Sequence, residues 1–538
     1  MANRLLGRYL ALLFALALVA LAAGCSDDDG ASPTGTPTDG ATGTASPTLT
    51  ALPTLQALAP ISFSEPAVFY GAEAGDGAQV VNAGDFNGDG ELDIVIGAPL
   101  ADGVDDAAED AGEAYLFFGP FAPGETRDAG KGEQDVTLYG RQAGDETGRA
   151  VGAGDVTGDG IDDIVLGAPR AGTPERDGPG VVYIVPGRSS WPDALQLPGG
   201  GTTITGAGPG DLLGFTLDVG DATGDGIADV LAAAFHGDGP GDERTDAGEA
   251  YVIKGSPSLP ATIDLGAATT GVVTVSGGEA GGQLGENVAL ADLTNDGVED
   301  LILSATFATD LAGQEKVGAT YVLAGGEGLA DQDLAGVQAM FLGTDAGDQL
   351  GHSSAAGDVD GDGAMDLLLG AVSADGPGNG RDLAGEVIVV LNPGAYVGSE
   401  LDGEPEGIVI FGGENVDRVG RSVGAGDLDG DGRADLLLAA PGADETAGND
   451  NTGKLFVIFG RDDLPPALEL TEGGFDLALA GRDPGDIFGG SVLGRPAVIT
   501  ADFDQDGRDD VVVAALGDGP ANDRADAGEV SLLFSRDP

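Results

Sequence analysis

Cysteine, histidine, aromatic rings and positive charge are all scarce in this chain of 538 residues. The one cysteine, Cys25, lies near the N-terminus, so no disulfide can staple the rest of the chain. That body must hold by its core, by metal, or by both. The two histidines, His236 and His352, fall far apart and read as surface polar residues, which excludes a histidine-based zinc site. Lys and Arg number 23 against 91 Asp and Glu, a formal net charge of −68. Such a balance repels phosphate backbones and excludes nucleic acid as a partner. It points to cations, a saline medium or a cationic partner. Aromatic residues make up only 5%, so the core must be aliphatic. No convincing 3.6-residue period occurs, and helices are not expected.

Glycine, at 97 residues, is what the chain has in excess, and it argues for many turns. The first 60 residues differ from the rest. Arg4 and Arg8 precede an apolar run of 16 residues, "YLALLFALALVALAAG". This reads as a secretory signal, since a membrane-spanning helix needs about 20 such residues. The junction "LAAGC" resembles a bacterial lipoprotein signal. The resemblance implies a signal peptide over 1–24 and a lipid on Cys25; an ordinary signal peptide is the alternative. Residues 25–60, rich in Ser, Thr, Pro and Gly, are expected to form a disordered tether. As a flexible coil its 35 residues after Cys25 would span roughly 30–35 Å.

From residue 61 onward one unit recurs seven times. Its marker is an acidic nonapeptide starting at Asp85, Asp155, Asp221, Asp292, Asp358, Asp427 and Asp502, with spacings of 66 to 75 residues. A Gly-rich turn and a short strand precede each marker. An apolar run follows it, as in "IVIGAP", "IVLGAP" and "LLLAAP". A variable polar loop, a third strand such as "GEAYLFFG" and a weaker fourth strand complete the unit. Four short strands bounded by Gly and Pro predict one antiparallel sheet. Seven such sheets predict a seven-bladed β-propeller over 61–538. The last unit stops after its third strand, while an orphan strand, "AVFYG", stands before the first unit. The orphan is expected to complete the last blade against Val530–Phe534 and close the ring.

The nonapeptides place side-chain oxygen at positions 1, 3, 5 and 9, and glycine at position 6. The candidate ligands are Asp85, Asn87, Asp89 and Asp93; Asp155, Thr157, Asp159 and Asp163; Asp221, Thr223, Asp225 and Asp229; and Asp292, Thr294, Asp296 and Asp300. The last three sets are Asp358, Asp360, Asp362 and Asp366; Asp427, Asp429, Asp431 and Asp435; and Asp502, Asp504, Asp506 and Asp510. Calcium accepts six to eight oxygens in flexible geometry, so up to seven ions are expected, with the position-7 carbonyl as a further donor. Magnesium, which wants strict octahedral geometry, fits less well. An EF-hand is excluded because position 12 is apolar in all seven copies, Ile96 and Leu438 among them. The GxSxG match at Gly420–Gly424 is a repeat element, since its counterpart at Gly148 reads "GRAVG".

These units resemble the FG-GAP repeat of integrin α-subunit propellers. The "GAP" element stands at Gly97–Pro99 and Gly167–Pro169, the "FG" element at Phe488–Gly489, and weaker forms at Leu213–Gly214, Leu284–Gly285, Leu350–Gly351 and Val419–Gly420. The resemblance implies calcium loops on one face and partner binding on the other. The combined reading is an exported, lipid-anchored, calcium-binding surface protein, monomeric, used for adhesion or scaffolding with an unknown protein or glycan ligand. Membrane contact is expected through the lipid alone. Two other readings stay open: an extracellular hydrolase of polysaccharide or phosphoester, and an acidic structural envelope protein.

Overall fold

An apolar run such as "DIVIGA" carries no polar face, so it must be covered on both sides. The computed structural model shows how this is met. It describes residues 61–104, 107–174, 176–267, 270–310, 313–397, 407–444, 451–471, 473–490, 497–517 and 519–536. In the first blade, Val80–Gly84, Asp93–Ala98, Glu113–Phe117 and Val136–Tyr139 run antiparallel from the inside outward. The second strands of the other blades are Asp163–Ala168, Asp229–Ala234, Asp300–Ala305, Asp366–Ala371, Asp435–Ala440 and Asp510–Ala515. All seven are buried along their whole length. Among the described residues helix is confined to short 3-10 turns such as Ala129–Lys131.

Strand alternation places successive side chains in different interfaces. Ile94 and Ile96 join Phe69 and Phe117 between the seventh and first blades, while Val95 joins Ile164 and Leu166 between the first and second. Seven hydrophobic clusters result, one per interface. Each fully buried Ile, Leu or Val contributes about 1.5–3 kcal/mol. The innermost strands contact one another all the way round, the seventh meeting the first.

The repeated glycines mark close approach. A Cβ on Gly97 would lie 2.2 Å from the Gly148 carbonyl oxygen, and one on Gly167 would lie 2.0 Å from that of Gly214. Gly148 and Gly214 themselves sit at φ +88° and +84°, where a side chain is strained. The "GAP" glycine of one blade thus receives the "FG" glycine of the next.

The ring closes as expected: Ala67–Tyr70 pairs antiparallel with Glu529–Leu533, Phe69 opposite Val530. A second clasp joins Ser62–Phe63 to Ser535–Arg536. The blades differ from the four-strand expectation in one respect. Five carry a fifth, parallel strand on the outside, donated by the following blade: Thr126–Asp128, Ala194–Gln196, Thr262–Asp264, Gln332–Asp333 and Ala467–Glu469. These strands have two or three residues, too few to show a period-2 pattern. Arginines latch four of them: Arg176 to Asp264, Arg244 to Asp333, Arg381 to Glu469 and Arg524 to Asp128.

Phe69 is buried against Phe117 and Phe121, at ring distances of 5.0 and 5.2 Å. Phe69→Ala should cost about 3–5 kcal/mol, read as a lowered Tm, because it opens a cavity where the two ends of the ring meet. An unchanged Tm would mean that this N-terminal strand is not part of the closed ring.

Candidate metal centres

Each acidic nonapeptide forms the hairpin between a blade's first and second strands. Its ninth residue opens the second strand, as in the pairing of Gly84 with Asp93 and of Gly426 with Asp435. The first Asp folds the loop around itself. In the sixth blade Asp427 Oδ1 accepts the amides of Gly430 and Asp431 at 2.8 and 3.0 Å, and Oδ2 accepts that of Gly432 at 2.9 Å. Position 5 holds a smaller turn, Asp431 Oδ1 accepting the Arg433 amide at 2.9 Å. Glycine at position 6 sits at positive φ in every loop, +88° at Gly432.

The ninth residue is the hub. Asp435 is 1% exposed; its Oδ2 accepts the Leu428 amide at 2.9 Å and its Oδ1 the Gly460 amide at 2.9 Å. It therefore ties the loop to the end of the third strand. Asp93, Asp163, Asp229, Asp300, Asp366 and Asp510 do the same with Gly119, Gly187, Gly255, Gly325, Asn392 and Ser535.

Positions 1, 3 and 9 converge. Asp358, Asp360 and Asp366 bring one oxygen each within 4.8 Å of one another, as do Asp427, Asp429 and Asp435, and Asp502, Asp504 and Asp510. In the first four loops position 3 is neutral, and Thr157 and Thr294 reach toward Asp163 and Asp300 at 3.4 and 3.5 Å. The fifth-position carboxylates stand outside these triads; Asp362 Oδ2 instead accepts from Asn392 at 2.8 Å. The donors are all oxygen, the set a hard cation prefers. Asp504 Oδ1 is buried and accepts no hydrogen bond among the described residues, as a waiting ligand atom would. The triads therefore fit a calcium-type ion.

Two features escaped the sequence reading. Position 8 ties adjacent loops: Asp162 Oδ2 accepts the Asp85 amide and Asp509 Oδ2 the Asp427 amide, both at 2.9 Å. The "DD" endings of those two loops were the available signal. Where position 4 is glycine, position 7 of the following blade's loop packs on it. Ile161 and Ile227 lie on Gly88 and Gly158, whereas Arg433 and Arg508 lie on Gly361 and Gly430. Arg536 pairs with Asp504 at 2.7 Å. Each of the three loops with an extra Asp at position 3 is thus faced by an arginine. Extra negative charge comes with its own partial compensation.

His352 also departs from expectation. It is buried, with Nδ1 3.6 Å from Glu286 Oε2 and Nε2 2.8 Å from Arg421 Nη1. The three residues each follow an "FG"-type glycine, in the fourth, fifth and sixth blades. Cys25 and the segments 1–24 and 25–60 lie outside the described residues.

Seven blades, each headed by an acidic hairpin, define a repeat propeller. The FG-GAP repeat family matches residues 77–117, 147–185, 419–458 and 495–533, in the first, second, sixth and seventh blades. The chain is an FG-GAP-repeat β-propeller, integrin α-like in fold. Integrin alpha pat-2 of Caenorhabditis briggsae is 30% identical over 241 residues, covering 42% of this chain and 18% of the relative. Phosphatidylinositol-glycan-specific phospholipase D of Dictyostelium discoideum is 29% identical over 178 residues, covering 30% of this chain and 18% of the relative. The chain thus spans under a fifth of either relative's length. The solved structure of the exotype rhamnogalacturonan lyase YesX overlays at TM-score 0.43 and 12% identity, covering 90% of this chain and 75% of that one, too loosely to bear on chemistry.

Burial, the largest cause, pushes the Asp435 carboxyl up to about 8; its two amide partners oppose the rise, and Asp429 and Asp427 add to it. Asp93 and Asp510 rise to about 7 and Asp163 and Asp366 to about 6, again chiefly through burial. A raised acid stabilises the fold below its unfolded value, about 4, and loses that contribution as pH climbs through the folded value. Without metal, Tm should fall between pH 5 and pH 8, and Asp435→Asn should flatten part of that slope. Melting curves in chelator measure it; a Tm that rises with pH would contradict the burial reading.

Proposed function

We propose that this propeller is a calcium-stabilised binding module of the cell surface, used for adhesion or scaffolding. The observation that carries the reading is the convergence of three buried-to-half-buried carboxylates at the head of a blade, three times over. Calcium there would be held by the residues at positions 1, 3 and 9, in all seven loops. It would supply positive charge where each loop concentrates like charge. Its role is structural: it fixes the hairpins at one end of the blades and leaves the longer loops at the other end free to differ. Those loops, such as "FHGDGPGDERTDAG", are scaffolded and variable, as binding loops usually are. The integrin α relatives support a binding role, and the ligand is a protein or glycan.

Export and anchoring through Cys25 complete the proposal, supported by the signal-like N-terminus. Among the described residues no helix is long and apolar enough to cross a membrane. The phospholipase-named relative gives some support to a hydrolase, read out by phosphodiester release.

At ten times its dissociation constant, one bound ion stabilises by roughly 1.4 kcal/mol. Seven equivalent sites would reach about 10 kcal/mol, comparable with the whole stability of many domains. Chelation should lower Tm strongly, millimolar calcium should restore it, and magnesium should restore less. Asp427→Ala should cost far less than chelation, since six loops stay intact. A Tm indifferent to chelator sinks the calcium proposal. For the anchor, a fatty-acid analogue should label the wild type but not Cys25→Ala; equal labelling of both disproves it.

A further inference from the structure

The sixth blade differs from its neighbours at its outer edge. Its fourth strand, Leu477–Ala480, carries no fifth strand among the described residues, and Ala478 and Ala480 are exposed. In the first, second, third, fifth and seventh blades that edge is covered, always by a segment of the following blade's third-to-fourth connector. The register is fixed. The last residue of the fifth strand faces the residue before the glycine that ends the fourth: Gln196 faces Tyr139, Asp264 faces Thr205 and Glu469 faces Phe411. For the sixth blade the follower is the seventh, whose connector is split between the chain's two ends. Part of it is used up, since Ser62–Phe63 pairs with Ser535–Arg536. The chain before Ser62 is the remaining part of that connector in the sequence at hand.

The donors share a pattern: "PDALQL" at Pro192, "PATIDL" at Pro260 and "PPALEL" at Pro465. The chain before Ser62 holds "LPTLQAL" at Leu52. We propose that Thr54–Gln56 is the fifth strand of the sixth blade, with Thr54 opposite Ala478, Leu55 opposite Leu479 and Gln56 opposite Ala480. This edge is a docking site for the chain's own N-terminal segment.

A second regularity points the same way. The carbonyl of the glycine after the fourth strand is capped in the first, second and fifth blades. Arg176 caps Gly206 and Arg381 caps Gly412, each arginine rising from its blade's own polar loop to hold the acid that ends the fifth strand. The polar loop of the first blade, 99–112, has no Arg or Lys. There the fifth strand ends in Gln196, whose Nε2 donates to Tyr139 O at 3.0 Å and Gly140 O at 2.6 Å. The loop of the sixth blade, 441–453, also lacks Arg and Lys, and the donor proposed for it ends in Gln56. An acid comes with an arginine, and a glutamine comes without one. Leu55 would stand where Leu468 and Ile263 are buried in their own interfaces.

The consequence reaches the anchor. The tether would end at residue 53 rather than 60 and leave from the rim of the sixth blade. One N-terminal stretch would then bind two blades, as fifth strand of the sixth and fourth strand of the seventh.

Hydrogen exchange on the full-length chain tests it. By analogy with Leu197 N donating to Tyr139 O, and Val409 N to Pro466 O, the Ala57 amide should donate to Ala480 O and the Ala478 amide to Pro53 O. Both amides should exchange about tenfold or more slowly than free coil. Leu55→Pro should abolish that protection, and Thr44→Pro should leave it intact. Free exchange across 54–57 overturns the proposal. So does protection of Ala478 that survives Leu55→Pro, which would assign the edge to another occupant such as a second copy.

Discussion

The buried aspartate that opens each second strand is the joint on which the propeller depends. Asp435 and its six equivalents are nearly or fully inaccessible, yet each accepts amides from two different parts of its blade. One carboxylate thereby sets the loop, starts the strand and pins the end of the third strand. Two amide bonds do not offset the removal of a full charge from water, so the group stays reluctant to ionise. A cation at the triad changes that balance. It favours the charged form of the same carboxylate and turns the repulsion among positions 1, 3 and 9 into attraction to a shared ion.

Everything outward from that joint is made of ties between neighbours. Inner strands contact inner strands, glycine meets glycine, and position 7 of one loop covers a glycine at position 4 of the previous one. The distribution of scarce positive charge follows the same logic. With only 23 Lys and Arg, the chain places Arg433, Arg508 and Arg536 beside the three loops that carry an extra Asp, and four more on the donated outer strands. Six of these seven arginines reach a neighbouring blade, while Arg536 acts within the seventh.

The repeat itself was plain in the sequence, because the nonapeptide recurs in register and the apolar run after it has strand length. Ring closure was legible for the same reason: a unit one strand short at the end, and a spare strand at the start. The donated outer strands were not, since "TRD" or "ALQ" carries neither period nor length. Positions 7 and 8 of the loops were hidden because their contacts lie about 70 residues away, in the next blade. Burial of His352 was hidden because its neighbours, Glu286 and Arg421, come from the two adjoining blades. The FG-GAP family matches four blades; the unmatched ones keep the loop geometry and read "AAF", "SAT" and "GAV" where the first two blades read "GAP".

Calcium titration of chelator-stripped protein, followed by calorimetry, probes the joint most directly. If the triads are cation sites, the titration shows saturable uptake of at least three ions, and proton release appears because raised carboxyls must ionise to bind. Uptake should saturate within the range of extracellular modules, about 10⁻⁴–10⁻³ M. No uptake at concentrations tenfold above that range would contradict a structure held together at its loop heads by calcium.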